Sequence, residues 1–145
     1  MTSLVNAAVT AIVASLSSAT PVASQINRVR LRTLAANVTE AVVVRPLQAE
    51  VTEWALSPGY PVSWATSIAV ECYARASAGT TPDVAVDSLV EAVYARLMAD
   101  PTLGGVLITL QPQGLQFDFD ADADQTACAT FMFQARQRGG TSLFS

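Results

Sequence analysis

The stretch Val62-Ser63-Trp64-Ala65-Thr66-Ser67-Ile68-Ala69-Val70-Glu71-Cys72 is the clearest strand in the chain. Val62, Trp64, Thr66, Ile68, Val70 and Cys72 point one way, while Ser63, Ala65, Ser67, Ala69 and Glu71 point the other. Such period-two alternation is the pattern of a strand with its apolar face inward. At about 3.3 Å per residue the run spans roughly 35 Å or more, which predicts a strand that bends or extends past its sheet.

Moving upstream, Ser57-Pro58-Gly59-Tyr60-Pro61 reads as a turn or extended loop. Residues 40–45 and 50–56 read as two β-rich runs separated near Pro46. Residues 26–33 alternate, with Val29 and Leu31 opposite Arg28, Arg30 and Arg32. Val5, Val9, Ile12 and Leu16 recur at helical spacing, widened by Ala8 and Val13, so residues 3–18 predict a helix that Thr20-Pro21 ends.

Downstream, Thr81-Pro82-Asp83 is a helix start: Thr can cap, Pro suits the first turn and Asp complements the dipole. Val86, Leu89, Val90, Val93 and Leu97 form the core stripe, Asp87, Glu91 and Arg96 face solvent, and Asp100-Pro101 stops the helix. Val106, Ile108 and Leu110 then alternate as a strand. Gln111-Pro112-Gln113-Gly114 reads as a turn, and Leu115, Phe117 and Phe119 as the next strand. Ala127, Ala129, Phe131 and Phe133 complete a meander that Gly139-Gly140 breaks. The sum is an α+β fold: a mostly antiparallel sheet with two main helices packed on it, one domain over 1–138 and a flexible tail over 139–145.

Composition narrows the chemistry. Among 145 residues, 51% are hydrophobic and 14% charged, so the chain can bury enough apolar surface to fold as one domain. All eight basic residues are Arg; there is no Lys and no His. That excludes a Ser-His-Asp triad, His metal ligands, a Schiff-base lysine and a phosphate-loop lysine, and leaves carboxylate chemistry or none. No enzyme activity and no cofactor is expected. The net charge of −4 argues against a general nucleic-acid binder. Residues 1–76 carry five Arg and four Glu, whereas residues 77–145 carry three Arg against seven Asp and one Glu. The apolar run Leu4–Leu16 has no preceding Arg and is too short to span a bilayer, so neither a secretory signal nor a membrane segment is expected. Cys72 and Cys128 form no metal or redox spacing and read as buried thiols.

Asp118, Asp120, Asp122 and Asp124 recur every second residue, opposite Phe117, Phe119, Ala121 and Ala123. An EF-hand is excluded, because counting from Asp118 puts Ala123 and Ala129 where Gly and Glu belong. A solvated hairpin tip, a negative surface and acid/base carboxylates remain open. Arg28, Arg30 and Arg32 form the opposite row, readable as subunit contacts, phosphate contacts or solvated edge residues. Trp54 and Trp64 read as core, Tyr60 as a surface contact, and Leu143 and Phe144 as either frayed or docking on another chain. The apolar excess suits homo-oligomer interfaces.

The stretch from Thr81 to Arg138 resembles the tail terminator, or tail completion, proteins of long-tailed bacteriophages. The likeness is carried by the helix Val86–Met98, the following Ala99-Asp100-Pro101-Thr102-Leu103-Gly104-Gly105, and Phe117-Asp118-Phe119-Asp120-Ala121-Asp122-Ala123-Asp124. The resemblance implies a subunit that forms a ring, usually a hexamer, on the last tail-tube ring, ends tube growth and meets the head–tail connector or head-closure protein. It implies a place in the virion at the tail–neck junction, after synthesis in the host cytoplasm. In such a ring the four Asp of each chain would make an acidic belt; lining the channel, it would let DNA pass without specific binding. Arg28, Arg30 and Arg32 would then serve as subunit or connector contacts, as would Leu143 and Phe144. Another neck or tube ring protein, and a carboxylate metal-binding protein, are the competing readings.

Overall fold

The chain opens with Ser3, whose hydroxyl accepts from the Asn6 amide at 3.0 Å and caps helix α1 (Leu4–Ser17). In this computed structural model the described residues are 3–18, 20–23, 25–28, 39–53, 62–75, 81–119 and 126–139. After α1 come strand β1 (Gln25–Asn27), β2 (Glu40–Glu53), β3 (Val62–Arg75), helix α2 (Pro82–Met98), β4 (Thr109–Phe119) and β5 (Thr126–Gly139). The expected α+β architecture is present: one five-stranded sheet in the order β1-β2-β3-β5-β4, antiparallel at every pair but β1–β2.

Register explains which residues meet. Val44, Val70, Phe131 and Leu115 lie side by side across β2, β3, β5 and β4, and Val42, Cys72, Ala129 and Phe117 form the next row. Most of this face packs on the helices: Val42, Val70, Phe131 and Phe133 share one core with Ile12 and Leu16 of α1 and Leu89, Val93 and Leu97 of α2. Fully burying each such side chain contributes about 1.5–3 kcal/mol, so the sheet–helix contact dominates stability.

β3 lies at the centre and is buried on both faces: Ile68 and Val70 lie among the helices, while Ala65, Ala69 and Glu71 are buried on the opposite face. The one-sided burial expected of Val62–Cys72 therefore holds for neither face alone. Trp64, expected in the core, is half-buried. Trp54 and Tyr60 lie outside the described residues.

Two expected breaks are absent, and one expected strand starts later. Residues 40–45 and 50–56 are not separate runs: β2 continues from Glu40 to Glu53, with a register shift between Pro46 and Gln48 that absorbs Leu47 as a bulge. Among the described residues β1 pairs only with Ala41–Val43, and Pro46 lies beyond that pairing, where its missing donor breaks no described ladder. Gln111–Gly114 is likewise no turn: β4 runs through it, shifting register between Pro112 and Gly114 on an edge strand. Val106 and Ile108, expected in a strand, precede β4 in a loop and are exposed, while Leu107 is buried. The expected strand 26–33 is described only as β1 and Arg28; its remainder lies outside the described residues.

Arg96 is not left to solvent. Its guanidinium donates to the carbonyls of Ser15 (3.0 Å), Ser18 (2.9 Å) and Thr20 (2.7 Å), closing the C-terminal end of α1 from α2. Thr81 makes no side-chain cap bond to α2; its hydroxyl instead bonds the Asp83 carboxyl, holding that group below its ordinary range.

Candidate assembly surface

Among the described residues, strand β4 is one edge of the sheet, and residues 111–118 along it are exposed. Leu115 and Phe117, expected to face inward, retain 38% and 45% of their accessible surface, because the helices cover the middle of the sheet better than this edge. Beside them Val84, in the first turn of α2, is 52% exposed. Asp83, Val84, Asp87, Ser88 and Phe117 line a groove of about 370 Å³ between α2 and the edge. Asp118 follows Phe117 and is exposed on the sheet face away from the helices, in register with Cys128. The groove is thus apolar at its floor and acidic at its rim.

A second apolar surface lies in the loop after α2. Leu103, Gly104 and Gly105 have φ of 49°, 73° and 89°, a left-handed run that Gly tolerates and Leu does not favour. The Asp100 carboxylate accepts from the Thr102 hydroxyl (2.7 Å), the Thr102 amide (3.2 Å) and the Gly104 amide (2.9 Å). The Thr102 hydroxyl contributes most to lowering its pKa. This scaffold displays Val106 and Ile108, 45% and 52% exposed, beside a groove of about 400 Å³ that α1 lines with Ala11, Ala14 and Ser15.

The sheet face away from the helices carries a polar cluster. Glu71, almost fully buried, accepts from Arg45 Nε and Nη2, each at 3.1 Å, and from the Tyr73 hydroxyl at 3.0 Å. Burial raises the Tyr73 pKa, with the facing Cys128 adding to it. Burial also raises the Cys128 pKa and pushes Cys72 up to about 12, so both thiols are held protonated. Among the described residues no group of three or more His, Cys, Asp or Glu is placed to hold a metal. No helix there is long and apolar enough to cross a membrane.

Of the expected site residues, the structure places two. Asp118 is at the end of β4, and Arg28 follows β1 at the opposite edge. The Arg28 guanidinium donates to Thr10 Oγ1 at 3.1 Å and to Asn6 Oδ1, both on α1. Asp120, Asp122, Asp124, Arg30, Arg32, Leu143 and Phe144 lie outside the described residues. The sequence reading missed Val84 and the exposure of Leu115 and Phe117; the signal available was Pro112, which marks β4 as an edge.

No protein-family model matches the chain, and no curated protein matches it. Among solved structures it is similar to a chain of the virion of a native gene transfer agent particle, with a TM-score of 0.46 and 16% identity over 88% of this chain and 84% of that one.

Proposed function

We propose that this protein is a structural subunit of a phage-type virion. In this reading it assembles into a ring, of six copies, at the head-proximal end of the tail tube, where it ends tube growth and joins the tail to the head connector. The observation that carries the reading is the exposed apolar edge of Leu115, Phe117 and Val84 with its acidic rim, a surface built for contact rather than for turnover. The resemblance of residues 81–138 to tail terminators gives that contact its setting. A chain with neither His nor Lys brings little catalytic equipment of its own. In the ring, the sheet face bearing Asp118 turns toward the channel and the acidic row repels passing DNA phosphates. Electron microscopy of the purified protein mixed with tail tubes tests this reading. Single rings capping one tube end are the expected result; long tubes of this protein alone would assign it to tube subunits instead.

A further inference from the structure

We infer that neighbouring copies of this chain join head to tail, the β4 edge of one copy against the β1 edge of the next. The inference rests on the assembly reading above and names the surface it uses. Among the described residues the sheet ends in two edges, and they differ in kind. The β4 edge presents Leu115 and Phe117 with Asp83 and Asp87 of α2 beside them. At the β1 edge stand Ile26, partly buried against the core, and exposed Arg28, held by Thr10 and Asn6 of α1. The sequence continues the positive sign at the β1 edge, with Arg30 and Arg32 after Arg28.

Edge strands are commonly guarded by Pro, bulges or charge. On β4 the Pro112 bulge guards only the first half; Leu115 to Phe119 has a single charge, Asp118, and no cation. Pairing two β4 edges would set the acidic rims of both copies against each other, whereas the β1 edge brings Arg to them. Strand direction agrees. β4 runs parallel to β3 and β1 runs antiparallel to it, so a sheet continued from β4 to the next copy's β1 forms an antiparallel ladder. An interface between two different edges is heterologous and closes into a ring when the rotation permits.

Two variants that each block one edge test this: Phe117→Arg on β4 and Arg28→Glu beside β1. Leu115→Arg and Asn27→Glu serve as a second pair, and circular dichroism with thermal melting selects the folded variants. Each variant alone is expected as a monomer, while a 1:1 mixture, with one intact edge of each kind, gives a pair of about 30 kDa by light scattering, twice the 15.2 kDa chain. A mixture that stays monomeric, or an Arg28→Glu variant that dimerises alone, overturns the head-to-tail assignment. Rings persisting in both variants overturn the edge assignment and leave the assembly reading standing. A wild type that never associates removes that reading and this inference with it.

Discussion

Nη1 of Arg96 lies 3.0 Å from the carbonyl oxygen of Ser15, a residue 81 positions earlier, and the same guanidinium also reaches Ser18 and Thr20. One side chain of α2 therefore gathers three carbonyls at and just past the end of α1, of which that of Ser15 also accepts from the Ser18 hydroxyl at 2.9 Å. A charged hydrogen bond of this kind contributes about 1.5–3 kcal/mol. Arg96→Met is expected to cost about 2 kcal/mol or more in urea unfolding. Arg96→Lys recovers only part of it, because an ammonium has its three donors on one nitrogen and cannot occupy both positions that Nη1 and Nη2 take.

The loop after α2 separates backbone strain from packing. A Cβ at Gly104, Gly105 or Gly114 meets nothing within 4 Å, but only Gly104 and Gly105 have positive φ, 73° and 89°. Gly104→Ala is expected to destabilise by about 1 kcal/mol, and Gly114→Ala to be neutral or to stabilise by up to about 1 kcal/mol through the unfolded chain. Denaturant midpoints of the two variants check the contrast; equal losses would contradict it.

Helices and central strands were legible in the sequence because their burial follows a local period. α1 and α2 follow the stripes Val9–Ile12–Leu16 and Val86–Leu89–Val93–Leu97, and β5 alternates as expected. Pro46 and Pro112 misled because a residue that breaks a central strand becomes a bulge where one side of the strand is open. Arg96 looked solvated because its partners lie in another helix, and Glu71 looked exposed because Arg45, on the neighbouring strand, is what makes its burial affordable. That Arg28 and Asp118 stand at opposite edges follows from strand order, which no local pattern encodes.

Thr66 is 1% exposed, and neither its hydroxyl nor Nε1 of Trp64 on the same face has a hydrogen-bond partner among the described residues. Removing an unsatisfied buried hydroxyl recovers its desolvation penalty. Thr66→Val is therefore expected to stabilise by about 1 kcal/mol, read as a higher denaturant midpoint. A loss of similar size would show that the hydroxyl is satisfied in solution.

Burial pushes the Cys72 pKa from 9.0 to about 12. The folded state thus holds this proton more tightly than the unfolded chain, so the contribution is complete below pH 9.0 and is lost as pH rises towards 12. Cys72→Ala is expected to flatten the alkaline fall in stability over that interval, at the cost of a small cavity. At pH 8 a thiol reagent should reach Cys72 only after denaturation, with half-buried Cys128 reacting first. Rapid labelling of Cys72 in the folded protein would contradict this.

Light scattering on the purified chain, with imaging of the same sample, tests the central claim most directly. The account predicts closed rings of one fixed size, about 91 kDa for six copies of the 15.2 kDa chain. A lone 15.2 kDa species at every concentration tested, unchanged by added tail tubes, would contradict it.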